Sequence, residues 1–331
     1  MKAIIPVAGA GTRLRPHTYT QPKALIPLAG KTILSINIDQ MYNAGIREFI
    51  FIIGYLGEKI QDYIKEKYPH IQSHFIFQNE RKGTAHAINL TRSIVGNDEL
   101  FIALGDTICE YDINKMFSKP HSVLGVKKVD DPRNFGVAEI DENDTILRVV
   151  EKPSIPKSNM ALVGLYLIRD SSLLFQCLGK ILTQSNRNSD TEFNLTDALE
   201  CMITEGSIFK SFKVENWFDC GRKESLLESN SILLQKFGGT ISKQNKFENT
   251  IFIPPVSIAE QCDIKNSIIG PHVAVGENTI IHSSIIKDSI IGSYSKLYDV
   301  VLDDSLIGND TEIIGETRSL NIGDNTEIDL G

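Results

Sequence analysis

The sequence predicts an α/β domain followed by a parallel β-helix, and two features of the chain carry that division. Over the first two thirds, short apolar runs alternate with stretches of helical periodicity, the pattern of a mostly parallel sheet covered by helices. After about residue 245 the texture changes, and Ile-Gly or Val-Gly dyads recur at Ile269-Gly270, Val275-Gly276, Ile291-Gly292, Ile307-Gly308 and Ile322-Gly323, with six-residue steps inside a period of roughly sixteen. One aliphatic residue every six suits a triangular coil, in which that residue fills a narrow core and the next position turns the corner. An antiparallel sandwich would show period-two alternation instead. The chain is therefore divided into residues 1–240 and 241–331.

Taken in order, Ala3 to Val7, Phe49 to Ile53, Phe75 to Phe77 and Leu100 to Leu104 read as buried strands. Between them Leu34, Ile38 and Met41 fall on one helical face, and Gly45 sits where that helix would stop. Ser122 to Val126, Gly136 to Ile140 and Ala161 to Ile168 extend the strand count, and Ser225 to Phe237 reads as a closing amphipathic helix.

Composition narrows the function. The chain has 331 residues, 41% hydrophobic and 23% charged, with a net charge of -8. That acidity gives no global attraction to nucleic acid or to an anionic membrane, so neither partner is expected. No stretch approaches the roughly 18 apolar residues of a membrane span. Lys2 and a short apolar run open the chain, but Pro6 and a glycine turn cut that run too short for a signal peptide, so the cytoplasm is the expected location. Five cysteines lie far apart with no Cys-x-x-Cys pair, which reads as buried, reduced thiols. His70 and His74 stand four apart, but Pro69 argues against a shared helical face for a metal.

The stretch Ala8-Gly9-Ala10-Gly11-Thr12-Arg13-Leu14 follows the first strand directly. A dinucleotide fingerprint needs a third glycine where Leu14 stands and an acidic residue about twenty positions on, and a P-loop needs Gly-Lys-Ser or Gly-Lys-Thr. Neither is present. What remains is a glycine turn whose backbone N–H groups can approach a polyphosphate, with Arg13 beside it as a fixed cation. Read alone, the stretch is equally an ordinary tight turn. Gln21-Pro22-Lys23 then supplies a second cation ten residues past Arg13.

Together, "GTRLRPHTYTQPKALIPLAGK" resembles the signature of sugar-1-phosphate nucleotidylyltransferases. The resemblance continues through "QNERKGTAHA" from Gln78, Leu104-Gly105-Asp106, Asn134-Phe135-Gly136-Val137, "EKPSIPKSNMALVGLY" from Glu151 to Tyr166, Glu192-Phe193-Asn194-Leu195-Thr196-Asp197 and Trp217-Phe218-Asp219-Cys220-Gly221. It covers roughly residues 1–235. Within the family the segment from Glu151 looks closest to glucose-1-phosphate thymidylyltransferase, and "GTAHA" also looks like uridylyltransferases. Ala10, Pro22 before Lys23, Thr107 and Asn194 depart from the residues common at those places.

The resemblance implies a Rossmann-like mixed, mostly parallel sheet with a left-handed β-helix behind it. It implies attack of a sugar 1-phosphate on the α-phosphorus of a nucleoside triphosphate, with pyrophosphate leaving. The loop from Ala8 to Thr12 with Arg13 would hold the triphosphate, Gln78, Gly83 and Thr84 the base, and Lys23 the α-phosphoryl oxygens. Lys152 would bind the incoming phosphate, with Gly136, Glu151, Gly164, Tyr166 and Glu192 around the sugar. Asp106 and Asp219 would hold Mg²⁺, a hard cation content with two protein carboxylates. Pro153 biases Lys152 toward extended backbone. His86 is read as packing beside the base turn.

Gln78 tilts the base toward a pyrimidine, so dTTP or UTP with glucose 1-phosphate comes first. N-acetylglucosamine 1-phosphate with UTP and mannose 1-phosphate with GTP follow. Two further readings stay open: an acyl transfer on the coils through His272 or His282, and a silent nucleotide-sugar sensor. An open coil stack invites self-association, so a homo-oligomer through the β-helix is expected.

Overall fold

The computed structural model describes residues 1–183, 192–316 and 327. The Ile322-Gly323 dyad lies outside the described residues. Two compact units result: Met1–Ile26 with Lys31–Leu226, and Pro27–Gly30 with the chain from Leu227 onward.

The first unit runs β1 (Lys2–Pro6), α1 (Ile33–Asn43), β2 (Glu48–Ile53), α2 (Gly57–Lys67), β3 (Gln72–Phe77), α3 (Thr84–Asn89), β4 (Leu100–Ala103) and β5 (Thr107–Glu110). It continues with β6 (Ser122–Lys128), β7 (Gly136–Ile140), β8 (Ile146–Glu151), β9 (Met160–Ile168), α4 (Ser171–Leu182), α5 (Leu195–Thr204), β10 (Phe209–Lys213) and β11 (Asn216–Asp219). The main sheet has the order β8-β7-β9-β4-β1-β2-β3, with β6 on β9 and β10 on β6. Strands β4, β1, β2 and β3 are mutually parallel, and β9 joins β4 antiparallel. It is a mixed sheet whose parallel block carries the first strand's loop.

The aliphatic runs become strands because helices cover both faces, so both side-chain sets are buried. Alternate residues sort accordingly. Ile4, Ile50, Ile52 and Ile102 join one core with α3, α4 and α5, while Ala3, Ile5, Phe49, Phe51 and Phe101 join another with α1 and α2. Helix α1 starts at a capping box, Thr32 accepting from the Ser35 N–H at 3.0 Å and the Ser35 hydroxyl accepting from the Thr32 N–H at 2.9 Å. Strand β9 bulges between Leu162 and Tyr166, where Gly164 takes φ +83.

The second unit contains the chain of helix α6 (Lys223–Phe237) from Leu227 on, followed by the coils. Three parallel sheets stack with the register Asp263↔Ile280↔Lys296↔Glu312, Ile251↔Ile268↔Ile285↔Val301 and Val256↔Val273 continuing to Ile291↔Ile307. This is the three-sided parallel β-helix that the repeat predicts. Ile264, Ile281 and Leu297 stack inward with Ile269 and Ile286, all fully buried. Buried hydroxyls are paired: Ser267 and Ser284 each accept a backbone N–H from the next coil, at 3.1 and 3.3 Å.

Candidate active site

Strand β1 ends in the parallel block, and ligand sites in such sheets lie beyond the carboxyl ends of the strands. The loop after β1 lines a cleft of about 420 Å³ there. Ala8, Gly9, Gly11, Thr12, Arg13, Lys23, Gln78, Gly83, Thr84, Asp106 and Glu192 all line it. The sequence assigns a role to each of those eleven; Arg81 and Gly221 line it too, with no role assigned from the sequence.

Local sequence explains the convergence. Gly11 sits at φ +60, and a Cβ there would come within 3.0 Å of both Lys23 Cβ and Thr18 Cγ2, so the loop can close onto Lys23 only with glycine. Lys23 is 8% exposed, and its Nζ bonds Asp106 Oδ2 at 2.9 Å. Burial with that partner fixes the ammonium in the cleft wall. Asp106 immediately precedes β5, and the buried Asn37 of α1 donates to the Thr107 carbonyl at 3.0 Å, holding the strand start.

Strand β11 pairs antiparallel with β5, and Asp219 stands opposite Thr107. The two carboxylates foreseen for a metal thus come from neighbouring strand ends. A Cβ on Gly221 would lie 2.8 Å from Asp219 Oδ1 and 2.9 Å from Arg13 Nη2, so both side chains approach that glycine closely. Among the described residues no group of three or more His, Cys, Asp or Glu side chains could hold a metal. An all-oxygen pair fits a hard divalent cation that completes its shell with phosphate and water.

The base side is built on a close backbone approach. Gly83 has φ +95, and a Cβ there would lie 2.4 Å from the Phe193 carbonyl oxygen. The Gln78 carboxamide nitrogen donates to the Gly83 carbonyl at 3.1 Å and contacts His86 Nδ1 at 3.3 Å. Burial, helped by the Lys82 charge, lowers the His86 pKa, so near neutral pH the ring is uncharged and Nδ1 accepts. Both contacts hold the amide nitrogen inward and leave Oε1 as the free acceptor.

Of the sugar-side residues only Glu192 lines this cleft; Gly136, Glu151, Lys152, Gly164 and Tyr166 do not, nor do Ala10 and Asp219. Glu151 lies opposite Gly136 across β8 and β7, and its Oε2 accepts from the Thr196 hydroxyl at 2.7 Å. Lys152 Nζ is 3.7 Å from Glu151 Oε1. The extended backbone expected of Lys152 is not found: its φ is +39, and its N–H donates to the Phe135 carbonyl at 3.1 Å. That closing bond at the hairpin end overrides the proline bias, at a cost of about 1–3 kcal/mol for a non-glycine residue. The Phe135 ring meets Trp217 of β11 edge-on at 4.8 Å, which ties this hairpin to the strand of Asp219. Gly164 packs on Leu104, its carbonyl accepting from the Leu104 N–H at 3.0 Å, and Tyr166 is 6% exposed within the core.

Comparison with known proteins identifies the family. A family model described as nucleotidyl transferase matches residues 2–236. The chain is 38% identical over 314 residues to "Bifunctional protein GlmU" of Methanocaldococcus jannaschii, covering 95% of this chain and 72% of that one. It is 33% identical over 254 residues to "Low-salt glycan biosynthesis nucleotidyltransferase Agl11" of Haloferax volcanii, covering 73% and 70%. It is 32% identical over 242 residues to a glucose-1-phosphate thymidylyltransferase of Streptomyces griseus, covering 71% and 66%. A solved UDP-glucose pyrophosphorylase, complexed with UDP-glucose, shares the fold of the first unit at TM-score 0.62 and 23% identity over 71% of this chain and 98% of that one. With a family match that runs from β1 into α6, the chain belongs to the nucleotidyl transferase family.

Proposed function

We propose that this enzyme transfers a nucleotidyl group from dTTP or UTP to a sugar 1-phosphate, glucose 1-phosphate before others, and releases pyrophosphate. One observation carries the reading: Arg13, Lys23 and Asp106 line a single cleft, and Gly221 of the same lining lies beside the Asp219 carboxylate. Two polyanions must be brought together, and a phosphate monoester with a second pKa of about 6 needs no general base to attack. Positioning and charge neutralisation therefore supply the rate.

In this reading Arg13 and the N–H groups of Gly9 to Thr12 hold the β- and γ-phosphates and neutralise the departing pyrophosphate. Lys23 faces the α-phosphoryl oxygens, and Lys152 receives the sugar phosphate, with Glu151 on the sugar hydroxyls. Asp106 and Asp219 would hold Mg²⁺, which would add positive charge between the two phosphates. The free Oε1 of Gln78 can accept from the ring N–H on the pairing edge of uracil, thymine or guanine, where cytosine and adenine offer only an exocyclic amino group.

The second unit is read as an assembly domain. Its outward positions Ser257, Ala274 and Ile290 are buried, and within that unit Asn230 of α6 accepts from the Ala29 N–H and donates to the His272 carbonyl, both at 2.9 Å. The row Ile251, Ile285 and Val301 on another face is 60, 45 and 77% exposed. An uncovered aliphatic row on a regular sheet supports association with further copies of this chain. His272, one candidate for an acyl-transferring site, has Nδ1 on Asp288 at 2.7 Å and Nε2 on Gln235 at 2.9 Å. No helix among the described residues is long and apolar enough to cross a membrane. None of the five cysteines is in a disulfide, which is compatible with the reducing cytoplasm as the working compartment.

A pyrophosphate-release screen with Mg²⁺, four nucleoside triphosphates and several sugar 1-phosphates tests the reading. Turnover is expected with dTTP or UTP and glucose 1-phosphate. Release with no pair would favour the sensor.

A further inference from the structure

Five residues join the two halves of the site. The Phe193 N–H donates to the Lys82 carbonyl at 2.9 Å, and the Ala85 N–H donates back to the Phe193 carbonyl at 2.8 Å. The Leu195 N–H then donates to Thr84 Oγ1 at 2.8 Å. Gly83, with no side chain, lets this segment lie directly on the base-side turn. One residue further on, in the first turn of α5, the Thr196 hydroxyl donates to Glu151 Oε2 at 2.7 Å across 45 residues of sequence. Thr196 is 5% exposed, so its one hydroxyl proton is committed to that carboxylate with little competition from water.

We infer that Thr196 is a positioning residue that aims the Glu151 carboxylate at the sugar, and that residues 192–196 anchor this aim to the turn that seats the nucleotide. The inference rests on the sugar-phosphate reading of the Glu151 hairpin. A carboxylate on a flexible two-carbon stem has several rotamers. Bonded at Oε2, and lying opposite Gly136, Glu151 is held to one of them with Oε1 on the side of Lys152 Nζ, 3.7 Å away. The base-side turn is fixed by the same strap, so the distance from nucleobase to sugar is set by a short hydrogen-bonded segment rather than by two independent loops. Thr196 would touch neither substrate.

Thr196→Val keeps the shape and removes the proton; Thr196→Ser keeps the proton. With a hydrogen bond to a charged group at stake, Thr196→Val should raise the KM for glucose 1-phosphate about ten- to hundredfold while the nucleotide KM and the melting temperature stay near wild type. Thr196→Ser should restore most of the loss, and in a Glu151→Gln background Thr196→Val should add little further. Equal KM for wild type and Thr196→Val would overturn the inference, as would equal loss in the Val and Ser variants or an equal rise in both KM values. Calorimetric titration with glucose 1-phosphate reads the same loss without turnover. A wild type that binds this sugar phosphate more tightly than Thr196→Val, yet releases no pyrophosphate, sinks the catalytic reading and sustains this one.

Discussion

Left-handed backbone occurs in both units of the molecule and means different things in each. In the coils, non-glycine residues with positive φ recur in step: Asn249, Asn266, Ser283 and Asp299 on one corner, Gln261, Asn278, Tyr294 and Asp310 on the next, His272, Asp288 and Asp304 on the third. Each series is spaced by one coil. In the first unit, positive φ falls singly: Gly11, Gly83, Gly164 and Lys152 lie in or beside segments expected to meet substrate, while Leu56, Gly45, Gly96 and Gly206 sit at helix ends. Asp144, in the turn between β7 and β8, shows that a lone instance can also be a plain hairpin. Periodic strain is architecture, shared among many identical corners. Isolated strain in a charged residue such as Lys152 needs a local reason; the hydrogen bond of its N–H to the Phe135 carbonyl supplies the structural one, and the proposed phosphate contact would be the functional one.

Substitutions can break this contrast in either unit. The largest effect is expected at Asp219→Asn, which keeps size and removes the charge of one proposed Mg²⁺ ligand; Mg²⁺-dependent pyrophosphate release should fall about 10²–10³-fold with an unchanged circular dichroism spectrum. Unimpaired turnover would remove Asp219 from the metal site. Next comes Lys152→Gly, which relieves the backbone yet deletes the ammonium. The KM for sugar 1-phosphate should rise about ten- to hundredfold, with a much smaller change for the nucleotide. A neutral Lys152→Gly would make that residue a turn like any corner. Val301→Lys, on the open aliphatic row, should shift the protein toward monomer in sedimentation while its kcat holds. A wild type already monomeric would remove the assembly role. The smallest change is expected at Asp299→Gly: stability should stay within about 1 kcal/mol of wild type, because glycine accepts the corner's φ and loses only chain entropy.

Legibility followed the same division. Strands β1, β2 and β4 were visible because burial on both faces demands unbroken aliphatic runs, and the coils because each turn repeats the last. Arg13, Lys23, Gln78, Gly83 and Asp106 were visible because their spacing matched a family signature, and the structure brings them to one cleft. Other features depend on contacts distant in sequence. Thr196 reaches Glu151 across 45 residues, and Ala29 reaches Asn230 across 201, which draws Pro27–Gly30 into the second unit. Arg81 sits in the polar run from Asn79 to Lys82, where nothing in the pattern separates a cleft residue from a solvated one. Gly221 was quoted only as the end of a motif; its role as the bare floor under Asp219 and Arg13 appears only in three dimensions. Lys152 shows a local rule, the restriction before proline, yielding to one hairpin-closing hydrogen bond.

The account rests on nucleotidyl rather than phosphoryl transfer, and position-specific labelling separates the two directly. The enzyme would be given dTTP or UTP labelled with ³²P at either the α or the γ position, with glucose 1-phosphate and Mg²⁺. The account predicts that α label enters the sugar product and γ label leaves only as pyrophosphate. Transfer of γ label to the sugar phosphate, or α label remaining in nucleotide with every pair tested, would contradict it.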